Sequence, residues 1–130
     1  MRPRRGVSAL EMAFILPVVL LVLAGIMDWS WLLFHQMSAV VAAGRGARIA
    51  AGVGASKGPE AAAVRSSEAW LERFGLDPDV ADVSATIDAG ADPQTIEVRV
   101  SVPYHPLVGL IPMPDQVAAV ANGVYYGHLY

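Results

Sequence analysis

The chain has 130 residues, 55% of them hydrophobic, with a formal charge of −3 and no cysteine. This length allows one small domain plus a membrane segment rather than two domains. The missing cysteines exclude a disulfide framework and any thiolate metal site, and the absence of a basic patch beyond the first residues argues against nucleic-acid binding.

Arg2, Arg4 and Arg5 open the chain, and from Val7 to Met27 the only charge is Glu11. As a helix that stretch spans about 31 Å, close to the roughly 30 Å hydrocarbon thickness of a bilayer. Glu11 is anomalous there, because a carboxylate in hydrocarbon costs about 3 kcal/mol on insertion scales. A new amino terminus at Val7, created by a cut after Gly6, would supply a partner on the same helix face. Pro17 is tolerable in a membrane helix if the freed carbonyl of Ala13 finds another partner. The arginines before the span and Asp28 after it place the N-terminus in the cytoplasm and the remainder outside. Trp29 and Trp31 fall at the outer end, suited either to the interface or to packing on the folded head. A second cut is open: Val22-Leu23-Ala24 has the small-residue ending of a secretory signal, which would release a protein beginning at Gly25.

The helical pattern continues past Met27 to about residue 52. Alanines recur at Ala39, Ala43, Ala47 and Ala51, and a second row is Ala42, Gly46, Ala50 and Gly54. Spacing by four puts each row on one helix face, and small residues there admit a close neighbour. Ala39, Ala42, Ala43, Gly46, Ala47 and Ala50 are therefore the candidate packing positions, against the head or a neighbouring subunit, with Arg45 and Arg48 flanking them. Alanine is also simply a good helix former; Gly44 and Gly46 are not, at about 1 kcal/mol each.

Several of these residues together carry a family resemblance. Gly6, then four residues, then Glu11 ahead of an apolar helix resembles the processing site of type IV prepilins. Arg5-Gly6, Glu11, Leu16-Pro17, Gly25-Ile26 and Ala42-Ala43-Gly44-Arg45-Gly46-Ala47-Arg48 resemble TadE-like pseudopilins of the tight-adherence (Tad/Flp) pilus systems. Such proteins typically show an acid near the position of Asp28 and an Ala-Arg-x-Gly-Ala-Arg segment, of which Gly44–Arg48 is a variant. The resemblance covers about the first fifty residues. It implies cleavage by a prepilin peptidase between Gly6 and Val7, a subunit-assembly role for Glu11, and other pilins or pseudopilins and the pilus assembly machinery as partners. It implies a structural role and no enzyme. The expected location is the bacterial cytoplasmic membrane, crossed once, with possible incorporation into a surface pilus.

Beyond the long helix, Gly52–Gly58 breaks the pattern and Pro59 suits the first position of a second helix over 59–74, ended by Gly75. Glu68 and Glu72 share a face of that helix and read as a solvated surface rather than an acid/base pair. The period then becomes two. Val83, Ala85, Ile87 and Ala89 alternate with polar residues, as do Ile96, Val98, Val100 and Val102, giving strands over 83–89 and 95–102 with a turn at Gly90–Pro93. A third strand is expected over 117–126, after an apolar loop broken by Pro106, Gly109, Pro112 and Pro114. The expected architecture is α+β: a long N-terminal transmembrane helix, a short second helix and about three antiparallel strands packed on the outer half of the long helix, a layout that resembles pilins. In domain terms this is a leader over 1–6, a span over 7–28 and an extracytoplasmic domain over 29–130.

No phosphate-cradling loop is present, and His35, His105 and His128 lack acid partners at ligand spacing, so neither cofactor nor metal is expected. The contrasting expectation is a membrane-anchored binding or sensory protein with an uncleaved signal-anchor, its head engaging a partner through Pro103–Pro114.

Overall fold

The computed structural model describes residues 4–126, with side chains from Leu10 onward. Its first element, α1, runs from Arg4 to Ala51 without interruption and contains Pro17. At 48 residues it is about 72 Å long. Residues 10–23 are exposed throughout, so this half of α1 stands clear of the rest of the molecule. It is long and apolar enough to cross a membrane.

A short 3-10 turn over Ala55–Lys57 leads to α2, Pro59–Arg73. Gly58 takes the left-handed conformation (φ +66°) that glycine tolerates best, and Pro59 starts the helix where its missing N–H is no loss. At the other end Gly75 is left-handed (φ +75°). Its N–H donates to the Glu72 carbonyl and that of Leu76 to the Leu71 carbonyl, closing the helix with a Schellman motif.

Strands β1 (Asp82–Asp88), β2 (Thr95–Pro103) and β3 (Gln116–Val124) form one antiparallel sheet in the order β1-β2-β3. Val98 is paired with Ala85 on one side and Ala121 on the other. The two-residue period decides what is buried: Ile96, Val98, Val100 and Val102 all point into the core. The sheet lies on the outer half of α1, and α2 lies against both α1 and β1. The fold is therefore α+β as expected, with α2 and β2 starting where expected, other element ends shifted by one to three residues and β3 ending at Val124 rather than 126. Trp29 is exposed, whereas Trp31 packs on the core and so takes the packing role that the sequence left open.

Candidate functional site

Three regions of α1 carry the candidate residues. At its start, Gly6 and Val7 belong to the helical backbone, but the Val7 side chain lies outside the described residues. Glu11 is exposed. It stands 17 positions before Asp28, about 26 Å along the axis.

The second region is the small-residue face. Ala39, Ala42, Ala43, Gly46, Ala47 and Ala50 are all buried. Their neighbours belong to the same chain: Ala63, Ser67 and Leu71 of α2 and the buried valines of β2 complete this core. Ser67 Oγ donates to the Ala42 carbonyl at 3.1 Å, so α2 is hydrogen-bonded directly to the backbone of α1. Gly46 is the point of closest approach. A Cβ there would stand 2.9 Å from the Ala63 carbonyl oxygen and 3.3 Å from Val98 Cγ1, and closer still to Ser67 Oγ. Gly44 meets nothing within 4 Å. Arg45 and Arg48 are exposed beside this face, and the guanidinium of Arg45 lies over the Trp70 ring at 5.0 Å.

The third region is where the span meets the head. Asp28 is completely buried. Its Oδ1 accepts the Val108 N–H at 2.8 Å and its Oδ2 accepts the Gly109 N–H at 3.0 Å. The Tyr104 hydroxyl donates to the Asp28 main-chain carbonyl at 3.0 Å. The Tyr104 ring meets His35 edge to face (5.4 Å), and His35 meets Trp31 likewise (4.6 Å). His35 Nδ1 lies 3.0 Å from the Trp31 carbonyl, so the hydrogen is assigned to that nitrogen. The Tyr104 N–H donates to the Asp115 carbonyl at 2.8 Å and closes the base of the loop 105–114. Asp28 thus clasps an irregular loop from a position 80 residues upstream. The sequence marks Asp28 as the first charge after the span, but nothing in its periodicity links it to Val108. The Pro103-Tyr104-His105-Pro106 run is the one local signal that this strand end is structured.

Burial pushes the Tyr104 phenol above its ordinary value near 10, and the negative charge of Asp28 adds to the effect. A raised folded value means that this contribution to stability is full below pH 10 and is lost as the pH rises through the folded value. In an ultraviolet titration the difference between the wild type and Tyr104→Phe isolates the Tyr104 step, which should have its midpoint above pH 10. A difference step centred at or below pH 10 would contradict it.

Among the described residues no three His, Asp or Glu side chains gather to hold a metal ion, and His128 lies outside them. The single helix that carries all three regions is also the part of the chain that compares with known proteins. Residues 6–48 match the family model described as TadE-like protein. The TadE-like segment holds 43 of the 130 residues (6 to 48 inclusive), taking in the exposed apolar stretch, Asp28 and the small-residue face as far as Arg48. Helix α2 and the sheet lie beyond it. No curated protein and no solved structure matches the chain. The TadE-like segment supports a Tad-pilus-associated protein, and that family is a pilus structural or assembly component rather than an enzyme family. With α1 it points to a membrane-anchored protein.

Proposed function

We propose that this chain is a minor pseudopilin of a Tad-type pilus. A prepilin peptidase removes residues 1–6 by cutting after Gly6, and residues 7–28 then hold the protein in the cytoplasmic membrane. The N-terminus faces the cytoplasm and residues 29–130 form the extracytoplasmic head. Other pilins or pseudopilins and the assembly machinery are its partners, and its role is assembly, not catalysis.

One observation carries this proposal: the TadE-like match starts at Gly6 and runs along one unbroken helix, whose first half is bare and apolar and whose second half is clad by the head. A subunit of this shape can wait in a bilayer and later pack its bare half against the corresponding helices of neighbours. Glu11 then pairs with the Val7 amine, its own or an adjacent subunit's. Removing one member of such a pair in a low-dielectric setting leaves the other unpaired, at about 3–5 kcal/mol.

Glu11→Leu tests the proposal. The variant should insert and be cleaved, because it removes a carboxylate that hydrocarbon disfavours. It should fail to co-purify with pilus components, and Glu11→Asp should fall between the two. The intact mass of each protein reports the cut. A mature N-terminus at Val7 with normal assembly of Glu11→Leu would remove Glu11 from the mechanism. A wild-type N-terminus left at Met1 would favour the uncleaved signal-anchor, and one at Gly25 a released protein.

A further inference from the structure

We propose that the loop 105–114 inserts into the outer leaflet of the bilayer that α1 crosses, as a second and shallower membrane contact. This rests on the anchoring of the chain by α1 proposed above. The loop closes at its base, where Tyr104 bonds Asp115, and residues 106–114 contain no charged side chain. At its tip Leu107, Val108, Leu110 and Ile111 are exposed by 41–55%. A water-facing tip would not select four large apolar side chains in five positions. Its place in the fold identifies the apolar medium.

Strand β2 runs back down α1: Val98, near its start, lies by Gly46, and Tyr104, just past its end, bonds at Asp28. The loop therefore emerges on the membrane side of the head. Its tip reaches the last turn of the apolar span, where Ile111 Cδ1 lies 3.6 Å from the position a Cβ would take on Gly25. Ile26 and Met27 in the same turn of α1 are exposed, and so is Trp29, one position past the Asp28 that holds the tip, where indole rings favour the interface.

Irregular backbone is excluded from the hydrocarbon core unless its polar groups are satisfied. Here the Asp28 carboxylate takes up the N–H groups of Val108 and Gly109 at the tip. Gly109 holds a left-handed φ of +74°, which lets Leu107, Val108, Leu110 and Ile111 be displayed around a tight bend. The expected depth is the boundary between headgroups and acyl chains, about 5–10 Å in, as for interfacial apolar elements generally.

The natural chain has no cysteine, so one probe can be placed at a time. Leu110→Cys, Leu20→Cys in the span and Ala89→Cys at the opposite end of the sheet, each in the full chain, carry a polarity-sensitive fluorophore in phosphatidylcholine vesicles. Lipids bearing nitroxide near the headgroup or deep in the acyl chain serve as quenchers. The probe at 110 should emit to the blue of that at 89 and lose more intensity to the shallow quencher than to the deep one. The probe at 20 should respond most to the deep quencher. Loss at 20 with a probe at 110 as unquenched as that at 89 would overturn the loop insertion and leave the anchor standing. No quenching at 20 would overturn the anchor and the insertion with it. Shielding at 110 that grows with protein density, without lipid quenching, would assign the tip to a second copy of this chain and overturn the proposal.

Discussion

Gly46→Ala lowers the thermal stability of the head, while Gly44→Ala, two residues away on the same helix, raises it. Both replacements relieve the flexibility of a helical glycine, a gain of about 1 kcal/mol. At Gly44 nothing lies within 4 Å, so the gain stands. At Gly46 the new methyl meets the Ala63 carbonyl at 2.9 Å and Val98 Cγ1 at 3.3 Å, and overlaps Ser67 Oγ. Ser67 can rotate away only by giving up its bond to the Ala42 carbonyl, worth about 1 kcal/mol. The Ala63 carbonyl is α2 backbone and moves only if the helix moves; overpacking of this kind costs about 1–3 kcal/mol. The net loss is about 2 kcal/mol, or about 10 °C in Tm for a domain near this size. Gly46→Leu should be worse. Circular dichroism melts of the full chain in detergent provide the comparison. Equal shifts at the two glycines would remove the close approach of α1 and α2 as the cause.

Asp28→Ala should loosen the loop 105–114 selectively. It deletes two hydrogen bonds from backbone N–H groups to a carboxylate, and bonds to charged groups contribute about 1.5–3 kcal/mol each. A loss of about 3 kcal/mol is expected, with Asp28→Asn intermediate because it keeps one acceptor oxygen. The local signature is amide hydrogen exchange: Val108 and Gly109 should lose protection in Asp28→Ala. Tyr104→Phe, which breaks only the bond to the Asp28 carbonyl, should leave those two amides protected. If exchange at Val108 and Gly109 is the same in Asp28→Ala as in the wild type, the clasp does not hold the loop.

These two sites differ in how far they were legible in the sequence. The α+β class followed from periodicity alone: four-residue rows of alanine and glycine over residues 39–50, then strict alternation at Ile96, Val98, Val100 and Val102. Period reports which side of an element is apolar, and β2 buries that side. It does not report what the apolar side touches. The rows on α1 were compatible with a neighbouring subunit or with the head; the structure sets α2 and the sheet against them, with Ser67 bonded across the gap. The Asp28 clasp was not legible, because it joins a helix to an aperiodic loop 80 and 81 positions away. The oddity of an acid at the mouth of an apolar run, and the acid that the family resemblance expects there, marked the place without its partners. Gly6, Val7 and Glu11 were singled out by spacing and resemblance, and the family match at residues 6–48 covers that stretch.

Because α1 is a single helix from the bare stretch into the head, the compass bearing of the head around the helix axis is counted out in residues. One residue added between Leu20 and Leu23 would swing the head about 100° and lift it about 1.5 Å. Turning the bare foot of the helix would likewise turn the sheet with it, as a key turns its bow. A machine that gripped only that foot would thereby steer the head.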